Sequence, residues 1–220
     1  VEHNFDVIVG NPPYMATEHM KQVTPAELTI YKKKFKSAYK QFDKYFLFIE
    51  RSMQLLKEGG CLGYILPSKF IKVGAGQNLR KLLVDNKYLC KLVSFGSNQV
   101  FQGKTTYTCL LFLAKSQQDE FSYYEVKDFK MWLTREDKSL LSNTYEVDKL
   151  DSDTWVLEKE TNDILTKMYS KSKTLEVILG KKTIENGIQT SANKHYIHKE
   201  IKTENGLIFF EYDDNLYQVE

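Results

Sequence analysis

Two adjacent prolines, Pro12 and Pro13, stand directly behind a β-branched run, Phe5 to Val9, and a single glycine, Gly10. No strand or helix interior runs through such a pair, because each proline lacks an N–H and fixes its φ. The chain must turn there. The run itself is apolar on both faces, the pattern of a buried parallel strand. A buried parallel strand followed at once by a stiff bend at its carboxyl end demands an α/β sheet with neighbours on each side.

The following residues extend that pattern. Residues 15–40 are polar and basic, with Tyr31, Phe35 and Tyr39 spaced four apart, and predict helical or irregular structure over the mouth of the sheet. Phe42, Tyr45, Phe46, Ile49, Met53 and Leu56 recur at the spacing of one helix face. Gly59-Gly60 is expected to close that helix as a left-handed cap. Cys61 to Leu66, ended by Pro67, predicts a second buried strand; residues 76–86 a helix; Leu89 to Phe95 a third strand; Tyr107 to Ala114 a fourth. The 11-residue link Gly96–Thr106 has no helical pattern, so the last two strands are expected to be antiparallel neighbours. The order strand, helix, strand, helix, strand, strand is that of an α/β sheet with an antiparallel edge. Four strands are few for such a sheet, and part of it is expected upstream of residue 1. From about Glu120 short aromatic segments alternate with charged clusters, Asp151 to Tyr169 reads as a linker and helix, and Leu207 to Tyr212 as another strand.

Composition excludes several classes. Hydrophobic residues make up 42% and charged residues 27% of 220, the globular norm rather than that of a disordered tail or fibre. The longest apolar runs, such as Cys109 to Ala114, are far shorter than the ~20 residues of a membrane helix, and no signal peptide is visible at Val1–Asp6. No membrane partner is expected. Cys61, Cys90 and Cys109 form no metal or disulfide spacing, which suits reduced thiols in a cytoplasm. The four histidines are scattered, so no metal site is expected. Residues 1–116 hold 17 Lys and Arg against 8 Asp and Glu, a net +9; residues 117–220 hold 14 against 21, a net −7. The first half has the sign of a surface that faces phosphates. Only Arg51, Arg80 and Arg135 offer the fork that reads guanine bidentately.

Asn11-Pro12-Pro13-Tyr14 is the segment that carries chemistry. A given tetrapeptide with two prolines arises by chance in a chain of this size on the order of once in a thousand. Its place is apt, since open α/β sheets bind ligands beyond the carboxyl ends of their strands. The Asn11 side-chain oxygen and the Pro12 carbonyl can both accept hydrogens from one amino group. A ring-bound amine is a poor nucleophile, because its lone pair is delocalised; two acceptors in the right geometry localise that pair. Tyr14 offers a flat face for the ring. The plainer reading is a strand-terminating turn with a packed tyrosine.

The segment Phe-Asp-Val-Ile-Val-Gly-Asn-Pro-Pro-Tyr resembles motif IV of the N6-adenine-specific DNA methyltransferases, closest to those of type II restriction–modification enzymes with a C-terminal target-recognition domain. The likeness continues through residues 31–70, which resemble motifs V and VI in order and spacing. Val100-Phe101, Lys104 and Thr108–Ala114 resemble motif VIII, and Gly187 to Asn193 the entry to the recognition domain. The resemblance implies a fold class of α/β: the C-terminal half of a Rossmann-like S-adenosylmethionine-dependent methyltransferase sheet with an antiparallel edge strand, then the start of a second mixed domain. It divides the chain into residues 1–117 (catalytic), 118–156 (connecting) and 157–220 (start of target recognition).

Carried over residue by residue, it assigns catalysis to Asn11, Pro12, Pro13 and Tyr14. Tyr14 and Phe101 would contact a flipped adenine. Asn11 and Phe48 would touch the cofactor, although an aromatic on that helix is more often core. Lys32, Lys33, Lys34 and Lys104 would contact double-stranded DNA, with a solvated charged face as the alternative. The family's glycine-rich cofactor loop does not precede Asn11, and Val73-Gly74-Ala75-Gly76 reads as a helix-entry loop. The chain is therefore expected to be a piece of a longer polypeptide whose upstream segment completes the S-adenosylmethionine site. Alone it is expected to be inactive and, with an open sheet edge, to form an artificial homodimer. Competing expectations are methylation of a protein glutamine or of RNA, and a non-catalytic DNA-binding module.

Overall fold

The computed structural model describes residues 5–101, 103, 106–134 and 141–157, positions 164, 167–168, 170–173 and 177, and the backbone of residues 200–204, 207–212 and 215–219. Two compact units divide the chain at Ile164 and Leu165.

The first unit is built on one six-stranded mixed sheet, in the order β1 (Phe5–Gly10), β2 (Leu56–Pro67), β4 (Thr108–Ala114), β3 (Leu89–Ser94), β5 (Glu120–Glu125) and β6 (Leu141–Glu146). β1 and β2 are parallel, so the chain must cross over between them. It does so through α1 (Thr17–Val23), α2 (Pro25–Lys34) and α3 (Lys44–Leu55). α3 buries Tyr45, Phe46 and Ile49 completely against the sheet, each contributing about 1.5–3 kcal/mol. α4 (Gln77–Asp85) adds Leu79 and Leu83 to the same core. β3 and β4 are antiparallel neighbours, as the link between them predicts.

Four expectations need correction. The sheet has six strands, because β5 and β6 continue it beyond β3. β4 lies inside the sheet between β2 and β3, and the antiparallel strand at the margin is β6. Gly59-Gly60 does not cap α3. The helix stops at Leu55 because Leu56 is already paired with Phe5, and Gly59, at φ +76°, lies within β2. Finally, β1 is not buried: Phe5, Val7 and Val9 are 50%, 61% and 77% exposed. Among the described residues, β1 has only β2 beside it, and no element covers its second face.

The other end of that second face is covered. α5 (Phe129–Thr134) sets Phe129 and Trp132 edge-on to Phe95, with centroids 5.5 and 5.1 Å apart. The second unit contains an antiparallel three-stranded sheet, β7 (Glu200–Glu204), β8 (Leu207–Tyr212) and β9 (Asn215–Val219), which includes the strand expected at the tail. Among the described residues, no helix is long and apolar enough to cross a membrane.

Candidate active site

β1 ends at Gly10, where backbones and rings come close: a Cβ there would stand 3.3 Å from the Tyr64 ring. The chain then leaves the sheet. Asn11 and Pro13 are exposed, Pro12 is buried and Tyr14 half-buried. The Tyr14 hydroxyl donates to the Ile65 carbonyl of β2 at 2.9 Å, and its ring meets Tyr45 edge-on at 6.1 Å. Tyr45 in turn donates to the Pro67 carbonyl. Burial, with a smaller contribution from nearby Cys109, pushes the Tyr14 phenol up to about 12. It is a neutral donor at neutral pH and not a base.

Tyr14 opens onto a cleft of about 650 Å³ beyond the carboxyl ends of β2 and β3. Its lining includes Lys69, Ser94, Tyr107, Tyr123 and Trp155. A cavity of this volume, walled by aromatic rings with a few polar groups, suits a planar ligand. Trp155 reaches the site from far along the chain. Its backbone N–H donates to the Ile71 carbonyl, its indole N–H to the Asp151 carbonyl, and its ring packs on Phe70. Arg80, 2% exposed, fixes this wall by donating to the carbonyls of Phe70, Val73 and Ser152. Gly76 is needed for this arrangement, since a Cβ there would lie 2.3 Å from the Phe70 carbonyl oxygen. The Val73–Gly76 segment is a helix entry, as its sequence predicts: Gly74–Gly76 is a 3-10 turn leading into α4.

One charged pair stands on the cleft wall. Lys69 Nζ is 2.7 Å from Asp43 Oδ2, with side chains 50% and 5% exposed. Asp43 occupies the N-cap position of α3, yet its carboxylate goes to Lys69 instead of the helix N–H groups. Burial raises the Asp43 carboxyl above its usual value, against the opposing hydrogen bond and charge of Lys69.

The sequence-predicted residues are distributed unevenly. Tyr14 lines the cleft; Asn11, Pro12, Phe48 and Phe101 are not among its lining residues. Phe101 is half-buried in the β3–β4 link. Phe48 is 41% exposed although its helix neighbours Leu47 and Ile49 are buried, so it is not a core residue. Lys32, Lys33 and Lys34 form the exposed last turn of α2. Lys104 and the segment Gly187 to Asn193 lie outside the described residues. Sequence reasoning missed Lys69, Tyr107, Arg80 and Trp155. Lys69 was findable, since it follows the proline that ends β2 at the ligand-binding end of the sheet.

A family model described as Eco57I restriction-modification methylase matches residues 1–101. The type II restriction enzyme and methyltransferase RM.Eco57I of Escherichia coli is 72% identical over 218 residues, covering 99% of this chain and 22% of that protein. Over nearly its whole length this chain is similar to one segment of a type II restriction–modification enzyme. A second relative, the type II methyltransferase M.BstVI of Geobacillus stearothermophilus, is 28% identical over 211 residues, covering 88% of this chain and 37% of the relative. The chain thus spans well under half the length of both restriction–modification relatives. The DrdV–DNA complex solved by cryo-electron microscopy matches with a TM-score of 0.50 at 20% identity, over 75% of this chain and 20% of that one, a likeness of fold. The mixed sheet with its helical crossover is the Rossmann-like α/β fold expected from the sequence.

Proposed function

We infer that the polypeptide carrying this chain methylates adenine at N6 in double-stranded DNA, with S-adenosylmethionine as donor, within a restriction–modification system. The observation that carries this reading is the Asn11–Tyr14 bend: it leaves the carboxyl end of β1 and places Tyr14 on the wall of an aromatic cleft. A base inside a duplex cannot present its amino group to such a cleft, so the target adenine must leave the stack at a cost of a few kcal/mol.

The chain's own residues divide the work. Tyr14, held by Ile65 and Tyr45, supplies a fixed ring face. Asn11 Oδ1 and the Pro12 carbonyl accept the two amino hydrogens and localise the nitrogen lone pair. Phe101 closes on the base once DNA is bound. No strong base is needed, because the amine sheds its proton after attack, when it is far more acidic. Phe48 and Asn11 fit one side of a cofactor site, since both are exposed and Phe48 shows an uncovered aromatic surface between the buried Leu47 and Ile49. When bound there, S-adenosylmethionine supplies an electrophilic methyl group. An upstream segment of the same polypeptide would provide the rest of that site.

The test is Asn11→Ala in the full-length polypeptide. Methyl transfer is expected to fall at least about a hundredfold, the scale of losing an electrostatic contact made in the transition state. DNA affinity should change little. Unchanged methylation would reject the assigned site.

A further inference from the structure

Beyond the cleft wall lies a second hollow of about 550 Å³, lined by Lys40, Gln41, Asp43, Lys69, Val73 and Gly74 among others. Asp43, Lys69 and Val73 line both spaces, so they form the partition between them. Among the described residues, the charged side chains lining the cleft are Asp43, Lys69 and Lys72, and the hollow adds Lys40. The carboxylate among them is 5% exposed, whereas the Lys69 ammonium arm is 50% exposed. What this partition offers a ligand is therefore positive charge.

We propose that Lys69 contacts a DNA backbone phosphate beside the target nucleotide, and that Asp43 is the residue that positions it. The proposal rests on the reading of the cleft as a base pocket. A nucleotide whose base enters the cleft carries its phosphate outside it, and the partition is where the ammonium stands. An ammonium has three N–H donors. One is engaged by Asp43 at 2.7 Å, which leaves donors for a phosphate oxygen.

The anchoring is the second argument. Asp43 forms a β-bridge with Ala16, the Lys44 N–H donates to the Met15 carbonyl at 2.8 Å, and the Thr17 N–H to the Phe42 carbonyl at 3.1 Å. The carboxylate that holds Lys69 is thus fixed to the chain immediately after Tyr14. Base plate and ammonium are registered on one short piece of backbone. Lys32, Lys33 and Lys34, on the exposed turn of α2, have no such registration to the cleft.

The experiment uses the full-length polypeptide and duplexes containing its methylation site, with neutral methylphosphonates placed one at a time at the phosphates flanking the adenine. One position is expected to weaken wild-type binding on the order of tenfold, the scale of a charge-assisted hydrogen bond. That position should cost Lys69→Met nothing further, and the variant's salt slope of log K should fall by about one. Equal costs in both proteins at every position would overturn the contact. A readout without any variant is acylation of wild-type Lys69 followed by mass spectrometry. Duplex DNA should slow it and high salt should restore it; an unchanged rate would overturn the contact equally. Asp43→Asn should blur the discrimination among phosphate positions while Lys69 stays charged; wild-type discrimination in that variant would remove Asp43 from the proposal. Adenine methylation is scored separately. A Lys69 contact without it would overturn the proposed function and leave the contact standing, whereas methylation without a positional effect would overturn the contact alone.

Discussion

The two faces of the central sheet are made from alternating residues of the same strands, and they meet different fates. On one face Leu62, Tyr64, Leu66, Leu111 and Leu113 lie under α3 and α4 and are 0–6% exposed. On the other, Val7, Val9, Cys61, Ile65, Leu110 and Phe112 line a shallow apolar hollow of about 310 Å³, with Val7 and Val9 mostly in solvent. Both faces are equally apolar in sequence. The difference shows that hydrophobic alternation specifies which surface is to be covered and is silent about what covers it.

The largest effect that would break this comparison comes from a matched pair of substitutions. Leu111→Ala on the covered face should cost about 3 kcal/mol, because it leaves a cavity under α3 and α4. The double change Val7→Ser with Val9→Ser should stay within about 0.5 kcal/mol, because those side chains already meet water. Urea denaturation of this chain measures both, and equal losses would mean that the open face is covered in solution. A smaller effect tests the cover itself. Arg80→Met strips three carbonyls of their donor at the entry to α4 and should cost about 2 kcal/mol, read from the same denaturation curves.

The smallest effect concerns Tyr14, at the end of the sheet where both faces give way to the cleft. Tyr14→Phe removes the bond to the Ile65 carbonyl and should cost about 1 kcal/mol at neutral pH. Its sharper signature is alkaline. An unfolded phenol ionises near 10.0, whereas the folded Tyr14 keeps its proton to about 12. Between those values the folded state binds more protons, so stability falls as pH rises. Thermal melts above about pH 9 should decline less steeply in Tyr14→Phe. A slope remains, because burial also raises Tyr45 well above its ordinary value. An identical slope in variant and wild type would show that Tyr14 is not held as described.

Much of the fold was legible because its signals are local. The apolar period of Tyr45, Phe46 and Ile49 marks α3, and the Asn11–Tyr14 bend marks the ligand end of β1. Gly59 was misread for a physical reason: a left-handed glycine serves a helix cap or a strand irregularity alike, and only the distant Phe5–Leu56 pairing decides between them. The exposure of β1 was illegible because it depends on which elements surround the strand. In the site, Tyr14 could be read from its motif. Trp155 and the carbonyl of Ser152 could not, because they reach the cleft wall from 72 or more residues beyond Arg80 and Ile71. The Asp43–Lys69 pair joins a helix start to a strand end, and neither residue has a local pattern that points to the other.

The bridge between Ala16 and Asp43, and the Glu50 carboxylate that accepts from the Lys36 and Ser37 N–H groups, have a consequence for how this region can vary. Together they close the neck of the excursion that leaves β1 and returns to α3. Residues 18–41 are pinned as well, since Met20 and Leu28 are buried in the core and the Asn78 side chain donates to the Lys36 carbonyl. Variation there is confined to side chains that face solvent, such as Lys32, Lys33 and Lys34, while the register of the two parallel strands, and with it the seat of Tyr14, stays where it is.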